Sequence, residues 1–225
     1  MNLIKIYLTN LSKYNESELV GQWVTLPVDD FKPILEKIGN PEEYFITDYE
    51  APFEIGEYAN IYELNEIAKE LEDLDAIQKE VFVTLLNESY NYKEALEIAQ
   101  NRDFTYIPGN TDDEFISEYI DMLGGNLIDA VGEERLKDYF DYAQFGRGLI
   151  SDNVFEKTEN GYIDEEGWEI KAKDEYELAE KFIDEVFGGI DELKQETLER
   201  YFDYDKFKNA ILQDFIETEN GYVQL

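Results

Sequence analysis

The chain opens on a strict alternation, in which Ile4, Ile6 and Leu8 are separated by Lys5, Tyr7 and Thr9. A period of two over this length predicts a strand with one buried face. A loop over 10–18 separates it from a second apolar stretch, which predicts a strand over 20–26. Pro27 and Asp30 then introduce a short helix over 31–38, closed by Gly39. A third strand fits 44–49, so residues 1–60 read as a small α+β domain.

From Ile61 the apolar period lengthens to 3.6. Ile61, Leu64, Ile67, Ala68, Leu71 and Leu74 form one stripe. Glu63, Glu66, Glu70 and Asp73 fall together on another face, one carboxylate per turn. Two further helices fit 77–87 and 92–100, the second opening at Asn91 with Glu94 three residues on, as in a capping box. Residues 61–104 therefore read as a helical domain.

The rest of the chain repeats itself. Thr111-Asp-Asp-Glu114 starts a helix with core face Phe115, Ile116, Tyr119, Ile120 and Leu123. Its counterpart runs over 174–186, with core face Leu178, Ala179, Phe182, Ile183 and Val186. Both end at a glycine pair, Gly124-Gly125 and Gly188-Gly189. Tyr139-Phe-Asp-Tyr142 recurs as Tyr201-Phe-Asp-Tyr204, and Thr158-Glu-Asn-Gly-Tyr162 as Thr218-Glu-Asn-Gly-Tyr222. Each Asn-Gly signals a type I′ hairpin, and the strand after the second is expected to be very short. Residues 105–173 read as a third α+β domain and first copy of a helix-helix-hairpin module, with 174–225 the second copy. Two copies mean duplication, not a solenoid. The fold class expected is α+β: an elongated chain of small domains, namely an α+β domain, a helical domain and two related helix-plus-hairpin modules.

Composition changes the picture through charge. The 225 residues are 43% hydrophobic and 15% aromatic, ample for folded cores. Yet 54 acids face 19 bases, a net charge of -35. The excess is spread along the chain, with net charges of -5, -9, -11 and -10 over 1–50, 51–111, 112–173 and 174–225. Such a surface repels phosphate, which argues against direct nucleic-acid binding and against an anionic membrane surface. Halophilic adaptation does not fit, because Lys outnumbers Arg 15 to 4. Calcium storage does not fit either, since the Gly161 and Gly167 surroundings lack the ligand spacing of a calcium loop. Ordinary solubility asks for only about 2–8 net charges in a small domain. The negative field itself is the feature to explain.

Candidate chemistry is sparse. Histidine and cysteine are absent, which removes disulfides, thiol chemistry, zinc-finger sites and histidine-based triads. None of the five serines sits in a Gly-x-Ser-x-Gly elbow. Paired carboxylates abound, but nothing singles out one raised by burial, so no enzyme, catalytic residue, cofactor or metal is expected. There is no run of 18 apolar residues and no signal-peptide pattern at the start. A cytoplasmic protein is expected.

The acidic stripes carry more information. Consecutive carboxylates of Glu63, Glu66, Glu70 and Asp73 rise about 4.5–6 Å along a helix axis. Glu114, Glu118 and Asp121, and Glu177, Glu180 and Asp184, repeat the pattern on the paired module helices. Glu80, Glu94, Glu97 and Asp113 complete the set of candidate phosphate-mimicking carboxylates. Duplex DNA carries one charge per about 1.7 Å of axis, so the net charge equals that of roughly 60 Å of duplex. A compact sphere of this length is only about 45 Å across, so an elongated chain matches DNA better. One stripe alone reads as a solvated helix face; the net charge and repeated placement favour mimicry.

Particular segments resemble the ArdA antirestriction family. They are Lys5-Ile-Tyr-Leu-Thr-Asn-Leu11, Lys13-Tyr-Asn-Glu16, Glu18-Leu-Val-Gly-Gln-Trp23, Leu26-Pro27 and Asp48-Tyr-Glu-Ala-Pro-Phe53. Leu85-Leu-Asn87 with Glu94-Ala-Leu-Glu97 resembles the family's antirestriction segment, and Asp141-Tyr-Ala-Gln-Phe-Gly-Arg147 its Tyr-Gly-Arg box. The resemblance runs in order over about residues 3–163. It implies three small domains in an elongated, curved, acidic molecule, carried on conjugative elements or phages. The implied function is a DNA mimic that occupies the DNA groove of type I restriction-modification enzymes, and the implied partner is their methyltransferase/specificity core. Members are typically homodimers joined through the third domain. Gly148 stands where an acid is expected after Gly-Arg, and the second repeat has Lys208-Asn209 in place of Gly-Arg. The module 174–225 has no counterpart in the usual architecture, so the expected state is a homodimer, or a monomer if that module covers the dimer surface. Other targets for the same mimicry are a CRISPR effector, another DNA-binding defence complex or a nucleoid protein. An acidic interaction module unrelated to DNA is the non-mimic alternative.

Overall fold

A computed structural model describes residues 3–225. The chain divides into two compact units, the first comprising residues up to 106 with 217–219 and 223–225, the second 107–216 with 220–222. Helices and small antiparallel sheets are mixed throughout, which is the α+β class.

The first unit begins with β1 (Ile4–Asn10), α1 (Leu11–Asn15), β2 (Gly21–Leu26), α2 (Lys32–Lys37) and β3 (Tyr44–Glu50), in a sheet of order β2-β1-β3. The predicted alternation holds, with Ile4, Ile6 and Leu8 fully buried and Lys5 and Tyr7 on the opposite, partly exposed face. Each such apolar side chain contributes about 1.5–3 kcal/mol through burial. Thr9 and Asn10 are also buried, and both are satisfied. The Thr9 and Thr47 hydroxyls are 2.7 Å apart, and Asn10 caps α1 while donating to the Ile38 carbonyl. Tyr7 meets Trp23 edge to face at 5.4 Å, and the Lys5 ammonium lies 4.6 Å from the Trp23 ring. The opening segment that carries the resemblance is thus a set of sheet-building contacts.

Three helices follow, α3 (Ile61–Asp73), α4 (Ala76–Asn87) and α5 (Tyr92–Asn101). The stripe of α3 faces inward as expected, with Ile61, Leu64, Ala68, Leu71 and Leu74 buried and Ile67 half-buried. The Asn65 side chain, also buried, accepts from the Val28 N–H and donates to the Val28 carbonyl. Asn60 and Asn91 cap α3 and α5, and Asp75 forms a reciprocal capping box with Gln78 at α4. Such caps satisfy backbone donors that a helix start leaves unpaired.

The repeated part comprises β4 (Thr105–Pro108), α6 (Asp112–Met122), α7 (Leu127–Val131), α8 (Glu133–Tyr139), α9 (Tyr142–Ser151), β5 (Glu156–Lys157), β6 (Tyr162–Ile163) and β7 (Glu169–Ile170). The second copy continues with α10 (Glu175–Val186), α11 (Gln195–Tyr201), α12 (Tyr204–Ile211), β8 (Ile216–Glu217) and β9 (Gly221–Gln224). Sheet orders are β5-β6-β7 and β4-β9-β8. Three sequence expectations are corrected here. Leu123 and Val186 lie outside the core, 38% and 48% exposed, at helix ends where the chain leaves through the glycine pairs. Neither Asn-Gly forms a type I′ turn, because none of Asn160, Gly161, Asn220 and Gly221 takes the positive φ that turn requires. Gly161 is needed instead for close approach, since a Cβ there would lie 2.3 Å from the Ile170 carbonyl oxygen. The last strand, β9, spans 4 residues against 2 in β6, so the second copy does not end on a shortened strand, although each is the central strand of its sheet.

The core of this unit is aromatic. Tyr142 is buried against Tyr176 at 5.0 Å, and burial, with nearby Tyr176, Glu180, Asp184 and Asp138, pushes its phenol up to about 12. An unfolded chain releases this proton near 10, so the group's contribution to stability is intact below pH 10 and is lost as pH rises toward 12. Urea unfolding at pH 9 and 11.5 should show a smaller pH-dependent loss for Tyr142→Phe than for the parent. Parallel losses would contradict this.

Candidate functional site

The acidic faces are set by helix register. On α3, Glu63, Glu66, Glu70 and Asp73 are all exposed, opposite the buried stripe. Glu66 pairs with Lys69 at 2.8 Å, and Glu70 accepts from the Gln100 amide at 3.3 Å. Glu63 and Asp73 make no ion pair or side-chain hydrogen bond among the described residues. Glu94 and Glu97 on α5 are exposed in the same way. Glu80 on α4 is half-buried and accepts from the Tyr106 and Thr218 hydroxyls, which gives it a structural tie.

In the repeated unit, Asp113, Glu114, Glu118 and Asp121 are exposed on α6, and Glu180 and Asp184 on α10. Glu114 and Glu177 are matching cap residues. Each carboxylate accepts the backbone N–H just before its helix cap, from Asn110 at 2.8 Å and from Lys173 at 3.0 Å. Glu177 also takes the Lys181 ammonium at 2.8 Å; this bond and the Lys173 N–H hold its carboxyl below the usual range. Asp113 pairs with Lys208 at 3.0 Å. The register of α6 brings Asp113 and Asp121 to one rim of a concavity of about 440 Å³, with Glu199 and Tyr204 also lining it. Glu118, Asp121, Glu180 and Asp184 carry no ion pair among the described residues.

Of the fourteen candidate carboxylates, eight are therefore exposed with no counter-charge among the described residues, three are exposed but engaged by a neighbouring side chain, and Glu80, Glu114 and Glu177 are tied into the fold. Other exposed acids, such as Glu133, Glu134, Glu165 and Glu166, extend the negative surface. Nothing in their spacing distinguishes them from ordinary helix-start and turn acids. Among the described residues, no group of three or more acidic side chains is arranged to hold a metal ion. No helix of the described residues is long and apolar enough to cross a membrane.

Residues 6–164 match a family model described as antirestriction protein (ArdA). The match ends in the turn between β6 and β7, so the whole of the second copy lies beyond it. No curated protein matches the chain in sequence.

Proposed function

From the chain's membership of the ArdA family of antirestriction proteins, we propose that it blocks restriction-modification enzymes by standing in for their DNA. The proposed target is the methyltransferase/specificity core of a type I enzyme, whose basic groove takes the acidic helix faces in place of phosphate. Fixed carboxylates on α3, α5, α6 and α10 supply the charge, and the helices hold them so that little ordering is needed on binding. The action is occupancy, with no bond made or broken, no cofactor and no direct contact with nucleic acid.

The observation that carries this reading is a net charge of -35, with unpaired carboxylates repeated along the exposed faces of helices. A field of that size speeds encounter with a cationic groove and is screened by salt over about 10 Å at 0.1 M. Affinity for a purified type I core, measured by titration, should fall about tenfold between 50 and 200 mM salt. An affinity unchanged over that range would sink the reading.

A further inference from the structure

We infer that the second copy of the repeat is the first copy's dimer partner carried on the same chain, and that the protein is a monomer built around an internal two-fold axis. The contacts between the copies come in reciprocal pairs. The Asp141 N–H donates to the Tyr201 carbonyl and the Asp203 N–H to the Tyr139 carbonyl, each at 2.7 Å. Between them Phe140 and Phe202 form an antiparallel bridge, which places equivalent residues of the two copies against each other on the axis. Phe145 meets Tyr201 at 5.1 Å, and its equivalent Phe207 meets Tyr139 at 5.1 Å. At the periphery the Tyr162 hydroxyl donates to Glu175 and the Tyr222 hydroxyl to Asp112.

The copies also exchange their leading segments. β7, which leads into the second copy, completes the sheet of the first through β6. The segment leading into the first copy runs beside the second copy's hairpin, where the Gly109 N–H donates to the Asn220 carbonyl. An exchanged pair of this kind is isologous, and a two-fold interface of that kind is closed once both halves are present. No second set of these groups remains for another chain, since Tyr139, Phe140 and Phe202 are buried.

Connectivity keeps the pairing within one chain. Residues 164–168 form a closed turn in which Asp164 accepts from the Glu166 and Trp168 N–H groups, so β6 and β7 are adjacent in sequence as well as in space. Charge acts in the same direction, because two chains at -35 each repel one another.

The full chain should therefore sediment at equilibrium as a single species of 26.4 kDa across concentrations. Zero-length carbodiimide cross-linking of the Lys208 ammonium to Asp113, which are in contact across the copies, should appear in the monomer band. A species of twice the mass, or this cross-link confined to a dimer band, would overturn the inference. Either result leaves the proposed target untouched, because enzyme inhibition is measured separately.

Discussion

Neutralising the α3 face with Glu63→Gln, Glu66→Gln, Glu70→Gln and Asp73→Asn together is expected to weaken binding to a type I core by roughly a hundredfold. Exposed ion pairs contribute about 0.2–1 kcal/mol each, so losing four costs about 1–4 kcal/mol, at 1.4 kcal/mol per tenfold in affinity. Each single change should cost only a fraction of this, because the field is distributed. The fold should survive, since all four side chains are exposed and the helix is held by its opposite stripe and by Asn65. Unchanged circular dichroism with weakened binding is the expected pair of results. A folded variant that binds as tightly as the parent at low salt would remove α3 from the interface.

Gly146→Ala is expected to destabilise the repeated unit by about 3 kcal/mol, in the range of overpacked cores. The sign is the informative part, because alanine in place of glycine within a helix normally gains about 1 kcal/mol. Here a Cβ would sit 1.9 Å from the Glu175 carbonyl oxygen, a backbone atom at the start of α10. α9 and α10 would have to part, and with them the ring contact of Tyr142 on Tyr176. Urea unfolding should show a lower midpoint, and an unchanged or raised midpoint would mean that this approach does not limit packing. In the second copy Lys208 occupies the equivalent place and reaches Asp113 and Asp205, so the two halves of the pseudo-dimer pack differently there.

The helices with clean periodicity are legible in the sequence. The stripe of α3, the helix starts at Asn91 and Thr111, and the alternation of β1 all follow from local chemistry. Exposure of Glu63, Glu94, Glu118 and Glu180 follows from the same register. The β5–β6 hairpin was marked by Asn160-Gly161, but β7 was not legible as the third strand, because it follows a further turn and at two residues leaves no periodic mark. The Asn-Gly signal misled only as to turn type: the hairpin closes from the Thr158 N–H to the Gly161 carbonyl, and Gly161 answers to the close approach of the Ile170 carbonyl. Glu80 could not be singled out either, since its ties to the Tyr106 and Thr218 hydroxyls span segments remote in sequence. The cap positions of Glu114 and Glu177 do follow from Thr111 and Asp174 three residues earlier.

Competition with DNA tests the central claim most directly. With a labelled duplex bound to a purified type I methyltransferase core, the protein should displace the duplex completely, and its apparent affinity should fall in proportion to added DNA. A stable ternary complex, with duplex and protein bound to the core together, would contradict the account.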